Sequence, residues 1–283
     1  MENKMEDKIP KIKIIKSDGK KEDFNREKLL QSLIKSGASA HTGELITKHI
    51  EGEVAEGMST TQIYSHAFTL LKKFERPTAI RYSLKRAIMD LGPTGFPFED
   101  FIAEIFKSKG YSVLTNQHIM GNCVEHEVDV VAYNENKLIM CEAKFHNEPG
   151  SRSDLKVALY VKARFEDLSG KEFTQYGTPR KLDEGWLITN TKFTNTAIQY
   201  GMCNGIHMVG WNYPFKGNLQ NMIEDSELHP ITCLKTLSQS HIKTLISQNV
   251  VLCKTLLEKK ELLDDMGLSQ TEKDEVITEI SLL

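Results

Sequence analysis

The chain has 283 residues, 40% of them hydrophobic and 27% charged, with a formal net charge of −3 at pH 7. This length predicts two or three domains, and this composition is typical of a folded globular protein and excludes a disordered one. The near-neutral charge does not point to nucleic-acid binding and weakens any argument from a broad basic surface.

The sequence also indicates the compartment. No apolar run reaches the roughly 18 residues that a membrane helix needs, and no apolar signal core follows Met1. The five cysteines are odd in number and contain no Cys-x-x-Cys pair. We therefore expect a cytoplasmic protein with reduced thiols, without disulfides or a zinc ribbon.

The first predicted element is a β-hairpin. Residues 11–16 alternate between polar and apolar, Asp18-Gly19 predicts a tight turn, and a return strand is expected to end near Phe24. Asn25 is then expected to cap a helix with an apolar stripe. Three more helices are predicted at residues 42–56, 60–74 and 77–91, with Ser59 capping the second and Pro77 in the first turn of the third.

This segment, residues 1–92, resembles the ATP-cone, the regulatory nucleotide-binding domain known from ribonucleotide reductases. The resemblance is carried by residues 14–19, 22–28 and 57–64, with Ser17 where arginine is common and Tyr64 where histidine is frequent. It implies that ATP or dATP binds, and ammonium groups beside turn N–H groups suit a polyphosphate. The implied pocket has Lys16 and Lys28 facing the triphosphate and Ile14, Glu22, Asn25 and Thr60 around it. The alternative is a small helical domain whose Asp-Gly turn is only a turn.

The middle segment, residues 93–225, predicts alternating helices and strands after a linker at residues 92–95. The order α-β-β-β-α-β-α-β indicates a central mixed sheet flanked by helices. Together with the first segment it gives a multidomain chain of the α+β and α/β classes. The predicted elements are a helix at 98–109, strands from 111–114, 127–132 and 138–145, a helix at 153–168, a strand at 186–189, a helix at 194–202 and a strand at 206–209.

One strand of this segment combines apolar and charged residues on the same face. Leu138, Met140, Glu142 and Lys144 are two positions apart and project together. Charges at the end of an apolar face are costly unless they have partners. A divalent cation held by Asp129 and Glu142, with Lys144 beside it, supplies such partners.

These residues resemble the PD-(D/E)xK nuclease superfamily, closest to Mrr-type restriction endonucleases and archaeal Holliday-junction resolvases. The matching text is Asp129, then Glu142-Ala143-Lys144, with Glu99 in the opening helix. The later Thr189-Asn190-Thr191 also fits an Mrr-type ending.

The resemblance implies a role for each of these residues. Asp129, Glu142 and the Ala143 carbonyl bind Mg²⁺ or Mn²⁺, which polarises the scissile phosphate and activates water. Lys144 positions that water or neutralises developing charge. Glu99 binds a second ion or orients water, and Glu104 on the same helix is the competing candidate.

Three alternatives stay open in this segment. The charged residues of the motif can form an ion pair in an inactive domain. His126 and His146 flank the motif and can be metal ligands, although lone histidines are more often surface or hydrogen-bonded residues. Lys162 and Arg164 can contact phosphate, although solvated helix charges are the more common case.

The last segment, residues 226–283, has apolar residues at helical spacing and resembles tandem helix-hairpin-helix modules. The hairpins are residues 238–241, which lack glycine, and residues 265–269, which contain Gly267. The resemblance implies DNA binding; the alternative is an oligomerisation or packing domain, which the acidic charge of the segment favours.

The sequence as a whole predicts a Mg²⁺-dependent DNA endonuclease, expected to be a homo-oligomer, that is regulated by ATP or dATP bound to the N-terminal segment. The alternative is a non-catalytic nucleotide sensor that binds DNA or a protein through an inactive nuclease fold. An intact motif of Asp129, Glu142 and Lys144 favours the enzyme, because a sensor has no need of all three.

Overall fold

The computed structural model describes residues 12–16, 19–92, 95–148 and 150–283. The chain divides into two compact units, Met1–Ser83 and Leu84–Leu283. The domain boundaries predicted after residues 92 and 225 stay predictions. Lys11 at the start of the first predicted strand, Ser17-Asp18 in its turn and Pro93-Thr94 in the predicted linker lie outside the described residues.

The N-terminal unit opens with an antiparallel hairpin in which Ile14 lies opposite Glu22. The predicted hairpin is thus confirmed, and the helix predicted at 60–74 has the same bounds in the structure. The elements are β1 (Lys13–Ile15), β2 (Lys21–Asp23), α1 (Arg26–Lys35), α2 (Ala40–Glu53), α3 (Thr60–Phe74) and α4 (Arg76–Met89), the last of which continues into the second unit.

Local capping explains where these helices begin. The Asn25 side chain accepts the backbone N–H of Lys28 at 2.9 Å, as the sequence predicts for the start of α1. At α3, Ser59 and Gln62 form a reciprocal capping box, which satisfies two N–H groups that a helix start leaves without partners. The core between the helices is apolar and includes Ile46 and Ile50 of α2 and Ile63 and Ala67 of α3.

The second unit contains a mixed five-stranded sheet. Its strand order is β3-β4-β5-β7-β9, with β3, β4 and β5 antiparallel and β5, β7 and β9 parallel. The predicted element order is confirmed, with two short extra strands that pair with each other. The elements are α5 (Phe96–Ser108), β3 (Ser112–Met120), β4 (Glu125–Tyr133), β5 (Leu138–Lys144), β6 (Arg152–Ser153), α6 (Leu155–Ser169), β7 (Glu184–Thr189), β8 (Lys192–Phe193), α7 (Asn195–Cys203) and β9 (His207–Val209).

Helices cover both faces of this sheet. Leu138 and Met140 of β5 belong to one apolar cluster with Val161 and Phe165 of α6. On the other face, α5 contacts β3, β4 and β5, and the ring of Phe98 lies 5.5 Å from that of Phe145, the residue after β5. The first half of β5 and the second half of β4 are therefore buried from both sides, which explains their nearly continuous apolar sequence, whereas the edge strand β3 is mostly exposed.

The C-terminal part is helical, as predicted. It contains α8 (Leu219–Asp225), a 3-10 helix (Ile231–Cys233), α9 (Gln239–Ser247), α10 (Cys253–Glu258), a second 3-10 helix (Lys260–Met266) and α11 (Gln270–Ser281). The first predicted hairpin, residues 238–241, does not link two α-helices. The element just before it is the three-residue 3-10 helix, and Ser238 is the N-cap of α9. The second lies between the other 3-10 helix and α11, with Gly267 at a φ of 67°.

Buried polar groups tie this helical part together. Glu279 is only 2% exposed, and its carboxylate accepts the backbone N–H groups of Lys235 and Thr236 at 3.1 Å. Thr232 donates its hydroxyl to the Ala87 carbonyl at 2.6 Å.

None of the helices in the described ranges combines the length and apolar character that a membrane crossing requires.

Candidate active site

The site begins where β4 and β5 separate. Their antiparallel pairing ends at Val130, which lies opposite Cys141. The preceding residue of β4, Asp129, is therefore not paired with β5. On the other side of β4, the pairing with β3 skips Asn116, which has a left-handed φ of 52°. The Asp129 carboxylate turns to the freed backbone and accepts the N–H of Ala143 at 2.7 Å.

Glu142 lies next to Ala143 and is largely buried, with a side chain only 16% exposed. Its Oε2 accepts a hydrogen bond from a guanidinium N–H of Arg164 in α6, whose side chain is 9% exposed. Arg164 also donates to the Tyr160 hydroxyl at 2.9 Å, and its guanidinium lies 4.9 Å from the Tyr160 ring centre. Helix α6 thus supplies a cation to one oxygen of Glu142.

Glu99 reaches the same place from the first turn of α5. Its Oε2 is buried and has no hydrogen-bond partner among the described residues. A Cβ at Gly95 would lie 3.0 Å from Glu99 Oε1, so the glycine leaves room for this carboxyl group. An unpartnered buried carboxyl oxygen is costly, and a cation or water would relieve that cost.

The electrostatics show how closely these carboxyl groups approach one another. Burial, and after it the charges of Asp129 and of other nearby carboxylates including Glu142, together raise the pKa of Glu99 from its ordinary 4.5 to about 7. Burial and Asp129 raise the pKa of Glu142, against the opposing effects of Arg164 and Lys144. The pKa of Asp129 is raised by burial despite the hydrogen bond from Ala143. If all three carboxyl groups were ionised, they would therefore carry more negative charge than their surroundings compensate.

Lys144 completes the predicted set at the end of β5. Its side chain is exposed, and its charge is near enough to lower the pKa of both Asp129 and Glu142. The structure thus brings Glu99, Asp129, Glu142 and Lys144 together where the inner strands β4 and β5 separate. The Ala143 N–H donates to the Asp129 carboxylate, and the Ala143 carbonyl lies at the same end of β5.

Glu104, the competing candidate on α5, lies elsewhere. Its carboxylate pairs with Lys107 at 2.6 Å, and both residues line a cavity of about 360 Å³ together with Val251 and Lys259. Between the two candidates, only Glu99 interacts with the carboxyl groups of the motif.

The two flanking histidines are occupied by structural hydrogen bonds. His126 Nε2 lies 2.8 Å from the Asp167 carboxylate, and this contact, with N–H donors around it, lowers the pKa of Asp167 to about 2. His146 Nε2 lies 2.9 Å from the Ser153 hydroxyl. Both histidines thus follow the more common case, that of a hydrogen-bonded residue.

The Thr189-Asn190-Thr191 segment supports the site from the neighbouring strand. Thr189 lies opposite Lys144 in the parallel register of β5 and β7. Asn190 is fully buried and bridges the chain after β5, since it accepts the His146 N–H at 2.8 Å and donates to the His146 carbonyl at 2.9 Å. The segment therefore fixes the chain that follows Lys144.

Arg164 is the site residue that sequence reasoning missed. Its interpretation as a solvated helix charge is wrong, because the side chain is buried against Glu142 and Tyr160. Lys162 instead bonds the Asn204 carbonyl at 3.3 Å and lies 3.6 Å from Glu166. The one available signal was the position of Arg164 on the apolar stripe of α6, between Val161 and Phe165, which a solvated charge avoids.

The residues predicted to bind nucleotide also lie near one another, within the N-terminal unit. Glu22 Oε2 lies 3.5 Å from Lys16 Nζ and 3.7 Å from Lys28 Nζ, so the two ammonium groups share one carboxylate. Ile14 is buried opposite Glu22 in the hairpin. Asn25 uses its side chain to cap α1, and Thr60 is the first residue of α3.

Comparisons with known proteins agree on the second unit. Residues 93–210 match a protein-family model described as a restriction endonuclease (Mrr catalytic), and residues 229–283 match one described as AF1548-like, C-terminal. The middle segment is therefore restriction-endonuclease-like, and this points to a nuclease.

Individual relatives extend the likeness. An uncharacterized protein of Archaeoglobus fulgidus is 37% identical over 179 residues, which cover 63% of this chain and 97% of that protein. The crystal structure of AF1548, described as a protein of unknown function, superposes with a TM-score of 0.53 at 34% identity and covers 66% of this chain and 97% of that one. MspJI restriction endonuclease in complex with an oligonucleotide gives a TM-score of 0.31 at 12% identity, over 59% of this chain and 40% of that one.

The Archaeoglobus relative is matched over nearly its whole length at an identity that unrelated proteins do not reach. Its agreement with the C-terminal family model and the AF1548 structure gives a consistent assignment. The chain belongs to the AF1548-like family and carries a restriction-endonuclease-like domain at residues 93–210.

Proposed function

We propose that the protein is a metal-dependent DNA endonuclease whose site is formed by Glu99, Asp129, Glu142 and Lys144. The observation that carries the proposal is the convergence of three carboxyl groups from α5, β4 and β5, each with a raised pKa. Like charges in a buried place are stable only when protonated or neutralised by a cation.

The residues present fit a hard divalent cation. Carboxylate and carbonyl oxygens are the ligands that Mg²⁺ and Mn²⁺ prefer, and the strand end offers Asp129, Glu142 and the Ala143 carbonyl. The Arg164 ion pair uses only Oε2 of Glu142. When bound, the ion would polarise the scissile phosphate and lower the pKa of the attacking water.

The remaining residues have distinct roles in this proposal. Lys144 is exposed at the strand end, where its ammonium group can bind a phosphate oxygen and stabilise charge that develops there. Glu99 accepts a proton near neutral pH, since its pKa is about 7, and can orient water. Arg164 orients Glu142 from behind, with Tyr160 holding the guanidinium.

The test is cleavage of plasmid, linear, single-stranded and branched DNA with Mg²⁺ or Mn²⁺. Asp129→Asn and Lys144→Ala should each lower cleavage at least about 100-fold, the usual loss when one electrostatic group of a site is removed. Lys162→Ala on α6, whose ammonium group bonds the Asn204 carbonyl and not the motif, is the matched control and should cleave as the wild type does. Cleavage that survives both substitutions would place the chemistry elsewhere.

The nucleotide part of the proposal rests on the N-terminal unit. We propose that ATP or dATP binds beside Lys16 and Lys28, whose ammonium groups approach one carboxylate closely enough to share a phosphate. The presence of this unit and the nuclease domain in one chain motivates regulation of cleavage or assembly by the nucleotide. Such regulation requires different nucleotide affinities for the two states.

Nucleotide titration tests this part separately. Lys28→Ala should weaken ATP binding about tenfold, which corresponds to about 1.4 kcal/mol. Lys35→Ala, at the other end of α1, is the matched control and should bind normally. Size measurements with ATP and dATP then show whether the protein is a homo-oligomer that responds to nucleotide, and identical profiles would contradict regulation through assembly.

A non-catalytic regulator is the competing proposal. Binding of DNA without cleavage under any metal would favour it, provided that nucleotide still binds. The complete set of motif residues where β4 and β5 separate and the uncompensated carboxyl groups favour the enzyme, because a decayed site would not retain this electrostatic cost.

A further inference from the structure

A second group of possible metal ligands lies in the N-terminal unit, on the outer side of α2 and α3. His49 Nε2 lies 3.2 Å from Glu53 Oε1, and His66 Nδ1 lies 3.1 Å from Glu53 Oε2. One ligand atom from each residue can be chosen so that all lie within 4.8 Å of one another. Two imidazoles and one carboxylate therefore lie close enough together to share one ion.

We propose that His49, Glu53 and His66 bind a divalent transition metal ion, with Zn²⁺ as the expected ion. Two imidazole nitrogens and one carboxylate oxygen are a ligand set that suits zinc, with a fourth position left for water or another donor. Mg²⁺ prefers oxygen ligands, so this site and the nuclease site should select different metals.

The distances agree with this chemistry. Zinc–ligand bonds of about 2.0–2.1 Å in a tetrahedron place neighbouring ligand atoms about 3.3 Å apart. The nitrogen–oxygen distances, 3.2 Å from His49 to one Glu53 oxygen and 3.1 Å from His66 to the other, are each close to that value. The rings of His49 and His66 meet edge to face with centres 5.4 Å apart, so the two imidazoles are close neighbours.

The backbone holds the ligands in place. His49 and Glu53 are four residues apart on α2 and share one face of that helix. Their neighbour Ile50 and the neighbour of His66, Ala67, are buried in the same core, so the contact between the helices is fixed next to the ligands. Little rearrangement is needed for an ion to bind.

The cluster is also accessible to an ion from solution. Side-chain exposure is 47% for His49, 49% for Glu53 and 35% for His66. A shallow groove along α2, lined by His41, Leu45 and His49, opens beside it. An exchangeable ion that joins α2 to α3 would stiffen the unit proposed to bind nucleotide.

The experiment measures zinc bound by the tag-free full chain after removal of metals with a chelator. The wild type should bind one equivalent of zinc. His49→Ala, Glu53→Gln and His66→Ala should each lower the zinc affinity by more than about 100-fold, which exceeds the usual effect of losing an outer-shell partner. Co²⁺ in place of zinc gives a direct probe, since its visible absorption should appear in the wild type and be lost in these variants.

Two controls separate this site from its alternatives. His41→Ala removes a neighbouring exposed histidine of α2, and Asp129→Asn alters the nuclease site; both variants should keep the equivalent. Zinc retained at full affinity by His49→Ala and Glu53→Gln would overturn the proposal. Loss in Asp129→Asn alone would assign the zinc to the nuclease site. Glu53→Gln preserves side-chain size, so it reports on metal even where His66→Ala fails to fold.

Discussion

The proposed nuclease site and the proposed nucleotide site have opposite arrangements of charge. At the nuclease site, Glu99, Asp129 and Glu142 are buried close together, and burial raises the pKa of each. At the hairpin of the N-terminal unit, Lys16 and Lys28 flank Glu22 with side chains that are 42% and 68% exposed. The first site has an excess of buried negative charge, and the second has two solvated positive charges around one negative charge.

Buried and exposed charges differ in what they indicate about a bound ligand. Buried charges are costly, so their arrangement itself implies a counter-ion. Exposed charges cost little and are screened by salt, so their arrangement alone implies much less. The buried carboxyl groups at the proposed nuclease site therefore favour a bound cation by themselves. The exposed charges of the hairpin do not, and a nucleotide there is implied by the resemblance of residues 1–92 to the ATP-cone.

The largest expected effect on stability is at Arg164. Arg164→Met removes the cation from a nearly buried pair and leaves Glu142 beside two other carboxyl groups. The free energy of unfolding should fall by about 3 kcal/mol, the usual cost of breaking a buried ion pair by removing one partner. Urea unfolding at pH 8 measures it.

Lys162→Met on the same helix is the control for this prediction. Its side chain is 25% exposed and lies 3.6 Å from the exposed Glu166, so the loss should stay below roughly 1 kcal/mol. Equal losses in the two variants would show that Arg164 is not a special residue of the site.

The next effect concerns Glu99 and cleavage. Glu99→Gln removes a carboxylate that interacts with Asp129 and Glu142, and Mg²⁺-dependent cleavage should fall about 10-fold to 100-fold, as for other groups that support a metal site. Glu104→Gln is the matched control on α5, since Glu104 pairs with Lys107, and it should leave the rate unchanged. A greater loss in Glu104→Gln would reverse the assignment of the two candidates.

The pH dependence of stability gives a smaller effect. Because the folded-state pKa of Glu99 is raised from 4.5 to about 7, the folded protein binds the extra proton between these values, and stability falls as pH rises through them. Without metal, the melting temperature of the wild type should therefore fall relative to that of Glu99→Gln between pH 5.5 and 8. The stabilisation by Mg²⁺ should grow over the same range, since deprotonated carboxylates bind the ion. Parallel pH profiles for the two proteins would contradict the buried carboxyl cluster.

Much of this architecture could be predicted because local signals and tertiary structure agree. Ser59 and its capping box fix the start of α3, and the order of apolar runs gives the mixed sheet. Asp129, Glu142 and Lys144 were recognisable because period-two spacing places the last two on one face. That Glu99 lies close to these three residues was expected from the resemblance to the nuclease superfamily, because no local sequence pattern predicts it.

The remaining features depend on contacts between distant residues. The burial of Arg164 requires α6 to cross the end of β5, 22 positions earlier in the chain, and no helix pattern specifies that partner. The approach of His66 to His49 and Glu53 depends on how α3 packs against α2. Sequence spacing identifies such residues one by one, whereas their grouping is a property of packing.

The smallest expected effect is at Glu22, and it tests the comparison from the exposed side. Glu22→Gln removes the carboxylate between Lys16 and Lys28 at 3.5 and 3.7 Å. Because solvent screens these pairs, the free energy of unfolding should change by less than about 1 kcal/mol, and added salt should reduce the difference further. Urea unfolding at low and high salt measures both, with Glu27→Gln on α1 as a control for a surface carboxylate. A loss of unfolding free energy as large as that of Arg164→Met would contradict this expectation. It would mean that the exposed charges of the hairpin interact as strongly as the buried charges around Glu142.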